Sequence, residues 1–322
     1  MNTSITMQTH AKNYLDERHR LGYDARTTGY ALRSFACYID GLGLDGPLTL
    51  EVMTAWAHHA KTNSDNPATW ARRLKQLRPF TRWLQQFDPR TEVPDDTVLG
   101  HIGQRLAPHI YSEQEIVDLL AAAHCLCPDL RGVTYETLFG LLAATGLRIS
   151  EAVHLLDMDV DLNSGMLTVR QTKFAKSRQV PLHPSTIKAL QCYRGQRNLQ
   201  ITATEETPFF ISTRGQRHGC TLSLRQVNRV FNSLRNQLKW VNRGAHTAPR
   251  IHDLRHTFVV RRVLLWHVQG VDIDQAMLAL STYVGHAMVT NTYWYLTGVP
   301  ELMALAAGKF ESFPQNSEVH HA

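Results

Sequence analysis

The chain has 322 residues, 43% hydrophobic and 19% charged, enough apolar material for two compact units rather than one. No apolar run reaches the roughly 18 residues that cross a bilayer, and the opening MNTSITMQTHAKNY lacks the apolar centre of a secretory leader; a soluble globular protein resident in the cytoplasm is expected. Cys37, Cys125, Cys127, Cys192 and Cys220 are scattered and odd in number, which argues against a disulfide framework, and Cys125 and Cys127 beside His124 lack zinc spacing, so no metal site is expected.

The net charge of +6 is unevenly placed: between Leu162 and His252 stand 15 Lys and Arg against only Glu205 and Glu206. A second basic group, Arg72, Arg73, Lys75, Arg78 and Arg82, lies in an acid-free stretch from Asn66 to Phe87. Either could be a solvated helix face, but two together fit the phosphate backbone of a nucleic acid.

In chain order, residues 9–86 carry four segments with apolar residues recurring at three and four, punctuated by Gly or Pro, and predict a four-helix unit. Residues 88–108, with three prolines and clustered acids, read as connecting chain. This sets a helical unit at 1–100, a linker at 101–110 and a second domain at 111–322. Ser112 with Glu115 predicts a capping box ahead of an apolar helix. GMLTVRQT and SRQVPLHP read as two strands joined by KFAK. Helical spacing returns in LSLRQVNRVFNSLRNQLKW, HDLRHTFVVRRVLLWHVQG and VPELMALAAGKF, giving a mainly α chain with a small β-sheet.

Three segments place polar residues inside apolar helix: TGLRISE at 145–151, IHDLRH at 251–256 and VGHAMVTNTYWY at 284–295. Arg148 and Glu151 are three apart, so the carboxylate can orient the guanidinium, although a surface ion pair has the same spacing. His252 and Arg255 share a face, either as two cationic groups directed at a common anion or as a plain basic helix face; His256 reads as a core histidine bonded to backbone. His286 and Tyr295 are nine apart, on opposite sides of any continuous helix, so cooperation between them requires a break, for which Asn291 or Thr292 could cap a new helix. Tyr293 and Trp294 are adjacent aromatics that could equally form a plain core cluster.

Taken together these segments resemble the tyrosine recombinases, also called phage integrases, whose pattern is an Arg in a TGLRISE-like turn, a Lys on a β-hairpin, His-x-x-Arg, Gly-His and a Tyr nine residues later. Arg148, Lys173, His252, Arg255, His286 and Tyr295 occur in that order. The resemblance spans 111 to about 310 and implies a helical core-binding domain followed by an α+β catalytic domain. QTKFAKSR departs from the usual Gly-Lys-Gly turn, leaving Lys176 as a rival to Lys173.

The resemblance further implies a DNA strand transferase acting through a 3′-phosphotyrosine, with Tyr295 as nucleophile, Arg148, Arg255 and His286 on the phosphate, His252 as base and Lys173 as acid. Glu151 orients Arg148, and Arg72, Arg73, Lys75, Arg78, Arg82, Lys176 and Arg178 are expected to bind DNA. No ATP or other cofactor is expected. The partners implied are double-stranded DNA on the bacterial nucleoid and three further copies, as a tetramer on synapsed duplexes. Residues 299–310 resemble the family's docking tail, in cis or in trans. The alternatives are a type IB topoisomerase and a silent DNA-binding accessory protein.

Overall fold

The computed structural model of the chain describes residues 5–23, 26–44, 46–59, 66–100, 105–170, 177–286, 288 and 290–297, with the backbone alone at 26, 27, 274, 291 and 295–297. The chain divides into two compact units, Met1–Arg105 and Leu106–Ala322.

In the first unit, α1 (Met7–Arg20), α2 (Arg26–Leu42), α3 (Leu50–His58) and α4 (Pro67–Leu84) are the four expected helices. Thr6, Thr49 and Asn66 cap three of them by accepting first-turn N–H groups. The apolar stripes meet around Tyr14, Phe35, Trp56, Leu77 and Phe80, each large side chain contributing roughly 1.5–3 kcal/mol by leaving water.

The basic stretch on α4 separates into two sets. Arg73 stacks over the Trp56 ring at 4.3 Å and donates to the Ala57 carbonyl; Arg78 donates to the Pro94 carbonyl at 2.7 Å and pairs with Asp96 at 3.0 Å. Both guanidinia thus have partners within the unit, which their basic sequence context did not show. Arg72, Lys75 and Arg82 are exposed, Lys75 with its Nζ 3.4 Å from the same Asp96, and share one helix side by their spacing. Residues 88–100 pack onto this unit, with Val98 and Leu99 against its core and the Glu92 N–H on the Leu48 carbonyl.

Of the expected linker, 101–104 lie outside the described residues, while 107–110 are built into the second unit. There His109 is buried between Glu115 and Arg243, and the Ala107 carbonyl accepts from the Ala245 N–H.

The second unit begins with α5 (Glu113–His124), which carries the Ser112–Glu115 capping box. It packs on α6 (Asp129–Thr145). That helix is apolar on nearly every side because it runs through the middle of the core with Tyr135, Leu138, Phe139 and Leu142 buried. Gly146 ends it at φ +62°, a left-handed turn where a Cβ would meet the Phe258 ring at 2.5 Å. After α7 (Ile149–Val153) comes an antiparallel sheet, β1 (Val160–Asp161), β2 (Met166–Val169) and β3 (Arg178–Pro181), in the order β1-β2-β3 with Val169 opposite Arg178. The two longer strands are the expected pair; the joining residues 171–176 lie outside the described residues. Then follow α8 (Pro184–Asn198), α9 (Leu224–Leu238), α10 (Asp253–Val268), α11 (Ile273–Val284) and α12 (Thr290–Thr297). No described helix is long and apolar enough to cross a membrane.

The basic segment 162–252 also divides. Arg194 and Arg197 wrap Asp157, Arg170 pairs with Asp159, Arg243 with Glu115 and Arg250 with Asp253. Part of the charge excess is thus balanced by acids that lie outside the segment in sequence and fold back onto it.

Candidate active site in the second unit

Three chain breaks build the site. The first is the turn after α6, where Arg148 caps α7: its N–H donates to Glu151 Oε2 at 3.0 Å and its Nη1 to Oε1 at 2.8 Å. The second is the start of α10, with His252 in the cap position. The third is the end of α11, where Gly285 turns left-handed at φ +72° and His286 follows.

Hydrogen bonds close these breaks on one another. Arg255 is 2% exposed; its Nη1 donates to the Gly146 carbonyl at 2.6 Å and its Nη2 to the Val284 carbonyl at 2.7 Å. Arg148 Nη2 donates to the Gly285 carbonyl at 2.9 Å. The two arginines therefore bridge the TGLR turn to the Gly-His turn, 34% of the Arg148 side chain remaining open to solvent. The expected open face shared by His252 and Arg255 is corrected, because Arg255 runs inward as the clamp while His252 stays near the surface.

Electrostatics follow from this packing. Desolvation, reinforced by Arg255, Arg250 and Arg148, lowers the His252 pKa to about 4, although part of the residue is exposed. His256 is buried, with its ring edge-on to His252 at 5.0 Å and to Trp294 at 5.5 Å; burial lowers its pKa to about 2. Its place in the core agrees with the sequence reading. Both folded-state values lie below the ordinary 6.5, so the unfolded chain takes up protons first as the pH falls. The stability that neutral His252 and His256 contribute is accordingly fully present above about pH 6.5 and declines towards pH 4; urea unfolding at pH 7.5 and pH 5 should show the drop, and His256→Leu should reduce it.

The required break between His286 and Tyr295 is present, since α11 ends at Val284 and α12 starts at Thr290. Its expected capping is corrected: Asn291 and Thr292 lie inside α12. Thr292 is fully buried and its Oγ1 lies 2.7 Å from His286 Nδ1, so it fixes which imidazole nitrogen faces outward. Thr292→Val should release the His286 ring through loss of that bond, read as a change in its imidazole NMR shifts, with Thr292→Ser restoring them. Tyr295 falls on α12 by its backbone; its side chain, Lys173, Lys176 and the tail at 299–310 lie outside the described residues.

Three roles escaped the sequence reading. Asp253 is fully buried and receives the Arg250 guanidinium and backbone N–H. It repeats the Arg-x-x-acid spacing of Arg148 and Glu151, which was a usable signal. Thr292 is the second. The third is Arg178, expected on DNA: its side chain is 11% exposed, its Nη2 donates to Glu151 Oε2 at 2.8 Å and its Nε to the Tyr283 carbonyl at 2.9 Å. The DNA contact is corrected to an internal one. Arg178 and Arg148 together lower the Glu151 carboxyl to about 2 against the cost of burying it.

Comparison with known proteins places this geometry. The phage integrase family matches residues 110–298, which hold all three turns. A putative integrase/recombinase, y4rB, of Sinorhizobium fredii (strain NBRC 101917 / NGR234) is 37% identical over 314 residues, 95% of this chain and 97% of its own. The tyrosine recombinase XerC of Pelotomaculum thermopropionicum (strain DSM 13744 / JCM 10971 / SI) is 30% identical over 72% of this chain and 71% of its own. In fold, the chain is similar to the Tn1549 transposon integrase solved with a circular intermediate DNA, at TM-score 0.62 and 18% identity, covering 91% of this chain and 95% of that one. The chain belongs to the phage integrase family and is a tyrosine recombinase.

Proposed function

We propose that the chain cuts and rejoins double-stranded DNA at specific sites, with Arg148, Arg255 and His286 around the scissile phosphate and Tyr295 as the attacking group. The observation that carries this reading is the closure of the TGLR turn and the Gly-His turn on one another through Arg148 and Arg255. It gathers permanent positive charge and an imidazole on neighbouring turns of a single unit. Attack by a phenol concentrates negative charge on the nonbridging phosphate oxygens, and fixed guanidinia stabilise that state more than the ground state.

Chemically, the Tyr295 oxygen bonds to phosphorus, its proton passes to His252, and the bond from phosphorus to the 5′ oxygen breaks. His252 is neutral at pH 7 and so able to take up a proton; burial is the main cause of its lowered pKa, and an arriving phosphate offsets the smaller part due to Arg255, Arg250 and Arg148. Lys173, or Lys176, delivers the proton to the 5′ oxygen. The phosphotyrosine conserves the ester bond, and a hydroxyl from another strand reverses the step. Exposed Arg72, Lys75 and Arg82 contact the phosphate backbone. Exchange between two duplexes takes four cuts, hence four copies of the chain.

The test is incubation of the purified chain with a supercoiled plasmid and a linear duplex that both carry its site. Joint strands of hybrid length are expected. Relaxation of a supercoil without any hybrid strand would instead assign the chemistry to a simple topoisomerase.

A further inference from the structure

A carboxylate that holds Arg148 in place also cancels its charge, the very property that a phosphate-binding guanidinium needs. Glu151 is 8% exposed and little screened by water, so the cancellation is substantial. The structure contains a counterweight. Each Glu151 oxygen serves both arginines: Oε1 accepts from Arg148 Nη1 at 2.8 Å and Arg178 Nη1 at 3.1 Å, and Oε2 accepts from the Arg148 N–H at 3.0 Å and Arg178 Nη2 at 2.8 Å. Two guanidinia on one carboxylate leave one net positive charge, with Arg148 as the outer member and Arg178 as the inner one.

The Gly-His turn is shaped around this arrangement. A Cβ on Gly285 would stand 2.6 Å from Arg178 Nη1 and 2.7 Å from its Cζ. Gly285 therefore does two things: it permits the left-handed turn before His286, and it vacates the space that the Arg178 guanidinium fills. Arg178 opens β3, so it also ties the base of the hairpin that carries Lys173 and Lys176 to the turn that carries His286.

We propose that Arg178 is a positioning residue for strand cleavage, a buried counter-cation that lets Glu151 orient Arg148 without neutralising it towards the scissile phosphate. This rests on the reading of Arg148 as a phosphate-binding group. Without Arg178, Glu151 pairs with Arg148 alone and the outer guanidinium loses its pull. Charge, rather than hydrogen bonding alone, is then the property required at 178, and removal of the carboxylate's charge should repair its loss.

The experiment measures single-turnover adduct formation on duplexes that the wild-type chain selects by covalent capture from a library of nicked duplexes with randomised arms. Arg178→Gln, which can still bond Glu151 but carries no charge, should cleave about 100-fold more slowly, and Arg178→Lys only about tenfold, on the scale of losing one donor to a developing anion. Arg178→Gln combined with Glu151→Gln should recover to within about tenfold of wild type, because the excess negative charge is gone. The deficit of Arg178→Gln should also shrink as the pH falls, since Glu151 without its inner partner protonates more readily and thereby stops cancelling Arg148. Duplex affinity and its salt dependence should stay as in wild type.

Equal losses for Gln and Lys with no repair in the double variant, in folded protein, would make Arg178 a structural brace and overturn the proposal. Loss of duplex affinity in step with cleavage would make it a phosphate contact and overturn the proposal equally. Should Arg178→Gln fail to fold, a loss in Arg178→Lys as deep as that in Arg148→Lys overturns the proposal and a shallow one supports it. Arg148→Lys separates the two levels: if it cleaves like wild type, the site reading fails; if it is inactive while Arg178→Gln is normal, only this inference fails.

Discussion

Tyr295→Phe is expected to form no covalent adduct with a nicked duplex, a loss on the order of 10⁴-fold or more, while binding that duplex with wild-type affinity. The substitution removes one oxygen, so a loss confined to chemistry identifies the nucleophile, and a gel-shift titration beside a denaturing gel reads both quantities. The helix that carries residue 295 gives the physical reason to choose it over its neighbours. On α12, Thr292 is buried against His286, and Tyr295 follows three residues later, on the same side by helical register. Tyr293 is 38% exposed and Trp294 packs towards His256, so neither shares that register. Tyr293→Phe should accordingly cleave at close to the wild-type rate.

Arg255→Lys should have the next largest effect, about 10²–10³-fold slower cleavage, accompanied by a stability loss of about 1–3 kcal/mol from buried acceptors left without a donor. The two losses share one cause. A lysine cannot fork, so it cannot serve the Gly146 and Val284 carbonyls together, and the TGLR and Gly-His turns lose the tie that holds them. Thermal unfolding and single-turnover cleavage measured on the same preparation test this coupling. A variant of normal rate and normal stability would show that Arg255 is not the clamp.

Much of this was legible from sequence because local rules were sufficient. The four N-terminal helices follow from apolar spacing, the start of α5 from Ser112 and Glu115, the hairpin from two short branched runs, and the break after α11 from the angular separation of residues 286 and 295. The site motifs could be read because Arg148 and Glu151, and likewise His252 and Arg255, lie within one turn of each other.

What escaped the sequence depends on contacts between distant segments. No sequence window joins Arg178 to Glu151, and the contact of Thr292 with His286 spans the break between two helices, so no single helical register reveals it. Arg73 and Arg78 looked like DNA contacts because the Trp56 ring and Asp96, which hold them, stand 17 and 18 residues away. The charge count over 162–252 missed Asp157 and Asp159, just outside it, which take up three of its arginines. The two-residue β1 is too short to show a period, and residues 129–145, 184–198 and 273–284, now α6, α8 and α11, drew no assignment.

The mechanism depends on one covalent bond, and the direct test is to locate it. The chain is trapped on a nicked duplex, digested with nuclease and protease, and the nucleotide-bearing peptide is sequenced by mass spectrometry. The added phosphonucleotide is expected on Tyr295 and nowhere else; its appearance on Tyr283, Tyr293 or a serine, with Tyr295 unmodified, would contradict the mechanism.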